Sequence, residues 1–426
     1  MKDEMILRKV IYFLSKAETP KEVFRVWNEH KECLKYYKLS INLNNYNKDI
    51  FPIGLGELVN KDDQDFISYF QTGKLYYMNN ELLDDMIFKE SITFPIDYSV
   101  MLDTNYASYI PYFLNNKGSI EFEKESIYRT IDTLLRHKFQ YDYTFYLIEN
   151  YKNVIKNQKE SFDASIKEHR DMYENLVYLE LFKSIDNDVY RNKNIIEFQI
   201  SKFEAIQRVD EIIYKLYKTN EGKSSLKQFL DMHQNLTLLL VGIIKIQFSS
   251  KENAKNKMNK LFEYVRNRVG IYYEREMVIA LKYFKNPRSV GIFNKINKGG
   301  KQKKLPEKIE NIAWDFMAPR VMEYFSNLTN EGRYFIPFFL SHDKNLRELL
   351  TLFNIKGIVQ DTRTGQLIPF TKTLSAELFK NEGIEMDFSF FSQESTNKRQ
   401  LTYENNINEG FKILQKEFSE LKDIMS

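Results

Sequence analysis

Two aspartates stand where a hydrophobic run stops. Asp103 follows Ser99-Val100-Met101-Leu102, and Asp343 follows Phe338-Phe339-Leu340-Ser341-His342. A strand that ends in an acid puts a carboxylate on the rim of a sheet, where open α/β sheets bind ligands. A third acid, Asp315, lies in the helical pattern Ile309–Phe325. Ala313, Ala318 and Val321 are small enough to let that helix approach a sheet edge closely. Carboxylates from three separate elements suit a hard divalent cation, Mg2+ or Mn2+, which takes oxygen ligands and keeps part of its water. Water on such an ion is a nucleophile, and the ion stabilises charge developing on a phosphoryl oxygen. Lys344, beside Asp343, offers a cation to a phosphate. Arg320, five residues after Asp315, either faces the same site or pairs with Glu323 on its own helix.

The elements that must position these acids can be read from periodicity. Tyr98–Leu102 and Tyr334–Leu340 are buried strands. The order around Asp343 is strand, acid, helix (Asn345–Phe353) and strand (Ile355–Gln360), which predicts a βαβ unit with parallel strands. Phe122–His137 is an amphipathic helix, and Asp142–Ile155 opens extended and becomes helical. Ser161 to about Phe284 is almost wholly helical, with no repeat period. Residues 1–95 read as an accessory, mainly helical region. Thr19-Pro20 starts a helix over Glu22–Tyr37, Phe51–Gly56 is a loop, and short helical pieces run on to Phe88. Residues 294–308 form a basic loop with six lysines, among them Lys303 and Lys304, whose charge would attract phosphates. A tail from 362 ends in an amphipathic helix over Glu409–Met425.

Composition narrows the function classes. The 62 basic and 59 acidic side chains leave a formal net charge of +3, so any grip on a polyanion must be a local patch. The single cysteine, Cys33, excludes intrachain disulfides and thiolate-rich metal sites, and reads as a small apolar residue in a helix. The five histidines (His30, His137, His169, His233 and His342) lack zinc-finger spacing. There is no phosphate loop, dinucleotide fingerprint, HExxH helix or G-x-S-x-G elbow. Leu236–Gln247 is the most apolar stretch. Broken by Lys245 and shorter than the roughly 20 residues a membrane span needs, it reads as a buried core helix. With no secretory leader after the charged Met1–Lys9 segment, the expectation is a soluble, cytoplasmic protein with no membrane partner.

These segments resemble a known family. Leu102-Asp103-Thr104-Asn105 looks like the first acidic motif of PIN-like nucleases, and Ser341-His342-Asp343-Lys344-Asn345-Leu346 looks like their last. Asp315-Phe316-Met317-Ala318 resembles the penultimate motif. Leu147-Ile148-Glu149 is the best match to the second, with Glu174 and Glu180 as alternatives. The resemblance implies an α/β fold with a small Rossmann-like parallel sheet. Its halves would be 96–160 and 309–361, interrupted by a helical insertion at 161–293 and the basic loop at 294–308, with an extension at 362–426. It implies an endoribonuclease, acting on RNA or less often DNA. Asp103, Asp315 and Asp343 would hold Mg2+ or Mn2+, Glu149 would complete the acidic cluster, and Asn105, Lys344, Arg320, Lys303 and Lys304 would meet the substrate. It also implies a toxin or phage-defence role, and leaves room for a protein regulator and for an oligomer.

The same residues have a second reading. Asp-Thr-Asn after a strand is an ordinary helix cap or Asx turn, and Asp343 before a helix is an N-cap. On that reading the chain is a non-enzymatic helical scaffold for a partner protein. A nucleotidyltransferase without a phosphate loop, sharing the metal, is a third.

Overall fold

The computed structural model describes residues 2–43, 65–70, 74–89, 96–115, 125–137, 139–155, 170–298, 304–326, 334–385 and 388–426. The loop expected at Phe51–Gly56 and residues 299–303 of the lysine-rich stretch, Lys303 included, fall outside them.

Among the described residues the protein is mixed α/β, mostly helical, with two four-stranded sheets. The first runs β2 (Phe66–Ser68), β6 (Tyr334–Leu340), β4 (Ile96–Leu102), β5 (Tyr141–Asp142). Its β6, β4 and β5 are parallel, and β2 adds antiparallel at the edge. Val100, Met101, Leu102, Phe338, Phe339 and Leu340 are all buried, as expected of parallel strands covered on both faces. The second sheet is antiparallel: β3 (Leu75–Met78), β1 (Tyr37–Asn42), β7 (Ile355–Asp361), β8 (Leu367–Thr371).

The strand-helix-strand run through Asp343 is no βαβ unit within one sheet, because β7 pairs antiparallel with β1 and β8 while β6 pairs with β4. Residues 309–361 are therefore shared between the two sheets. The described part of the first 95 residues holds the helices Lys2–Lys16, Pro20–Glu29 and Asn80–Phe88, and it also supplies strands that periodicity does not reveal: β1 and β3 build the second sheet and β2 completes the first. The helix from Pro20 does open with the Thr19–Glu22 capping box, but it stops at Glu29. Cys33 then lies exposed in a run of turns, not in a helix.

Most helices enclose a continuous core that also covers the first sheet, while Lys2–Lys16 and Pro20–Glu29 pack a second, smaller core against the second sheet. At the centre of the larger core is Asn220–Ser249, which packs on the helices Leu305–Ser326 and Gln393–Met425. It is the one helix among the described residues that is long and apolar enough to cross a membrane, yet 67% of its apolar window is buried inside the protein. Leu236–Ile244 is the buried part, as the core-helix reading expects. Gly242 sits in this stretch against the Tyr264 ring, where a Cβ would come within 2.2 Å of a ring carbon. The ring cannot easily yield, since the Tyr264 hydroxyl is held by the Leu238 carbonyl at 3.3 Å and by Glu417 at 3.0 Å. Gly242→Ala should therefore overpack the crossing and destabilise the protein by about 1–3 kcal/mol, read as a lower midpoint in urea unfolding.

Candidate active site

Parallel pairing sets the site. Leu102 on β4 lies opposite Leu340 on β6, so Asp103 and Ser341 leave the sheet side by side at its carboxyl end. The Asp103 N–H donates to the Leu340 carbonyl at 3.1 Å, carrying the pairing one residue past the strand. Both chains then turn directly into helices, Thr104–Asn115 and Lys344–Leu352. Each aspartate caps its helix with one oxygen. Asp103 Oδ1 accepts the Tyr106 N–H at 2.6 Å, and Asp343 Oδ1 accepts the N–H groups of Asn345 at 2.7 Å and Leu346 at 3.3 Å. The cap reading is thus correct for both residues. It does not exhaust them, because a cap uses one carboxylate oxygen and leaves the other.

Ser341, fully buried between them, ties the two together. It hydrogen-bonds the Asp103 carboxyl, and its Oγ accepts the Asp343 N–H at 3.1 Å. Glu149 comes from the helix Thr144–Ile155 and accepts a short hydrogen bond from the Thr104 hydroxyl, one residue beyond Asp103. Asp315 projects from the middle of Leu305–Ser326, a helix that packs on β6 and on Thr144–Ile155.

The four acids share one electrostatic neighbourhood. Burial pushes the Asp315 carboxyl up to about 8; Lys295 works against the shift, and Asp343, Glu149 and Asp103 add to it. Burial likewise raises Asp103 to about 7, opposed by its Ser341 and Tyr106 hydrogen bonds and reinforced by Glu149 and Asp65. Lys295 Nζ stands 3.4 Å from Asp343 Oδ2. Among the described residues, no three Asp, Glu, His or Cys side chains form a ready-made metal cage. The acids converge without closing around a single point.

The remaining candidates divide. Asn105 and Lys304 are exposed, and Lys344 is exposed with its ammonium 3.8 Å from Glu348. Arg320 is corrected: its guanidinium makes two 2.6 Å bonds to the fully buried Glu276 and lies over the Tyr273 ring. Five residues along a helix is about 140° of rotation from Asp315, so the two leave on different faces. The alternative glutamates serve elsewhere. Glu174 pairs with Arg170 at 2.7 Å, and buried Glu180 takes the Tyr143 hydroxyl and Lys183. Of the three, Glu149 is the one joined to the Asp103 turn.

Sequence reading missed two residues. Asp65, just before β2, is buried. Its carboxylate accepts Arg347 Nη1 at 2.6 Å and the Tyr106 hydroxyl, and lies 3.0 Å from His342 Nδ1. Its carbonyl accepts the Ser341 N–H at 2.7 Å. One side chain thus fastens both helices that leave the site. The available signal was an acid heading the apolar run Phe66–Phe70. Lys295, the second, was counted only as one of six lysines in a loop.

No family model, curated protein or solved structure matches this chain.

Two outcomes follow. Asp103 and Asp315 hold protons more tightly folded than unfolded, so stability should fall as pH rises from about 4 to about 8. Thermal melts should show a lower midpoint at pH 8 than at pH 5.5, with Asp315→Asn flattening the slope. Asp65→Asn should leave Arg347 without its buried partner and destabilise by roughly 3 kcal/mol, measured by denaturant unfolding at neutral pH.

Proposed function

We propose that this chain is a metal-dependent, PIN-like nuclease, an endoribonuclease that cuts phosphodiester bonds. The observation that carries the reading is the convergence of Asp103, Glu149, Asp315 and Asp343, from four elements, at the carboxyl end of the parallel strands β4 and β6. Spatial order also favours it. β4 is central, with β5 on one side and β6 on the other, so strand order reverses there and opens the kind of crevice in which α/β sheets hold ligands. The parallel trio is read as the small Rossmann-like sheet of such a fold.

The donor set suits Mg2+ or Mn2+ in kind. All four groups are oxygen acids, and their mutual repulsion calls for a cation. Asp103, Asp315 and Asp343 would hold it, with Glu149 completing the cluster. When bound, the ion supplies an activated water and neutralises phosphoryl charge. The chain's own residues set the stage. The two caps fix Asp103 and Asp343, and the Thr104 hydroxyl holds Glu149. Asn105, Lys304 and Lys344 are exposed polar and basic side chains suited to meet an RNA backbone. The N-terminal region and the helical middle would restrict access or bind a protein regulator. A cytoplasmic toxin or phage-defence effector is the role we propose for such an enzyme.

A second reading is a non-enzymatic helical scaffold. It is favoured by the two aspartates' work as caps and by the lack of a closed cage among the described residues.

Purified protein should cleave RNA with Mn2+ and lose at least about a hundredfold of that rate as Asp103→Asn or Asp343→Asn, with circular dichroism unchanged. Mn2+ should also raise the melting temperature. Equal cleavage by the variants would reject the site, and no cleavage with no thermal shift would favour the scaffold.

A further inference from the structure

The helix Ala254–Tyr264 runs on into a π-helical turn, Val265–Val269. Such turns are rare and are frequent at functional sites. Lys255, Asn259, Phe262 and Arg266 follow one another at helical intervals and so share a face of this run. Together with Glu385 and Phe390 they line a cavity of about 390 Å³, the size of a small-ligand pocket. None of these residues belongs to the acid cluster. The π turn ends at Gly270, whose left-handed backbone (φ 82°) lets it press on the helix Gln393–Met425. A Cβ there would lie 2.5 Å from the Arg399 carbonyl oxygen. The approach brings two guanidiniums to one ring: their central carbons lie over Phe390, 4.1 Å from its centre for Arg399 and 5.6 Å for Arg266.

Arg399 is buried, only 6% exposed. Its Nη2 donates to the Thr396 hydroxyl at 3.2 Å, while its buried Nε and Nη1 have no hydrogen-bond partner. Among the described residues no carboxylate is bonded to it. Burial and the neighbouring Arg266 both lower its pKa, yet a guanidinium keeps its proton at any working pH. A buried, uncompensated cation is destabilising, and here it stands beside a cavity that already presents Arg266 and Lys255. We propose that this cavity binds a phosphoryl group, carried by a nucleotide or as free phosphate, with Arg266 and Lys255 on its oxygens. Arg399 is not in the lining; it acts across the Phe390 ring, where little water screens its charge. A phosphoryl group suits this set better than a carboxylate, because it offers more charge and three terminal oxygens to the planar guanidinium fork. Glu263 holds Arg266 Nη1 at 2.8 Å in a solvent-exposed ion pair, a contact that a more highly charged oxyanion would displace. The partly exposed Phe262 ring adds a surface on which a base can stack.

The test uses the whole protein, with inorganic phosphate and adenosine monophosphate as probes, in thermal melts and calorimetric titrations at fixed ionic strength. Wild type should bind with a saturable rise in melting temperature. Tighter binding of the nucleotide than of phosphate supports the site and identifies a nucleotide; equal affinity supports it and identifies phosphate alone. Arg266→Met should weaken binding at least about tenfold. Arg399→Met, which keeps the packing on Phe390, should weaken binding about tenfold and also raise the melting temperature of the ligand-free protein. A structural arginine would give the reverse, so a lower melting temperature for ligand-free Arg399→Met overturns the proposal. Unchanged binding by either variant, or no saturable binding of either probe by wild type, overturns it as well.

Discussion

The parallel pairing of β4 with β6 is the constraint on which the rest depends. Their register runs unbroken from Ile96 opposite Tyr334 to Leu102 opposite Leu340. Slipping one strand by a residue would ordinarily exchange its buried and exposed faces, which is how a half-buried strand fixes its register. The inner ends of these two strands are buried on both faces, so that signal is weak here. Polar groups just beyond the strands supply it instead: the Asp103 N–H on the Leu340 carbonyl, Ser341 on Asp103, and the Asp65 carbonyl and carboxylate on the β6 exit. The groups that define the candidate site are therefore the same groups that fix the alignment of the sheet beneath it.

That double duty explains how so many acids are tolerated in a partly buried place. Two helix N-termini, Thr104–Asn115 and Lys344–Leu352, begin beside the cluster, and their exposed N–H groups favour negative charge. Each is occupied by one oxygen of an aspartate. Lys295 offsets part of what is left. Asp315 has neither a cap nor a helix start of its own, and burial pushes its carboxyl up to about 8. Asp103, bonded to Ser341 and Tyr106, is raised by burial to about 7.

Much of this was legible in the chain. β4, β6 and the helix carrying Asp315 were marked by apolar runs and helical spacing. The acids sit at changes of pattern, and strand ends are where such changes must fall. What escaped was long-range pairing. β2 and β3 are short, aromatic-rich segments in a region otherwise read as helical, and no periodicity over three or four residues separates strand from helix. β7 was legible as a strand but not as to its sheet, because nothing in Ile355–Asp361 names Tyr37–Asn42 as its neighbour. Arg320 was misassigned for a related reason. Its partner Glu276 lies on the preceding helix, Glu274–Lys285, and a buried ion pair between elements leaves no trace in local spacing.

The helical middle is not a detachable insertion. Asp315 reaches the acids only because Leu305–Ser326 is held against β6, and that helix is held in turn by Asn220–Ser249. Two buried ion pairs brace it from Glu274–Lys285: Arg320 with Glu276, and Arg275 with Glu323, the latter shared with the Tyr69 hydroxyl just after β2. Such pairs add little net stability against apolar replacements, but breaking one partner is costly, so they fix orientation more than they add cohesion. The brace runs from the edge strand of the sheet, through the bundle, to the helix bearing the third acid. A displacement of the bundle would carry Asp315 with it, while Asp103 and Asp343 stay fixed by strand pairing. The acidic cluster thus has one half anchored in the sheet and one half carried by the helices.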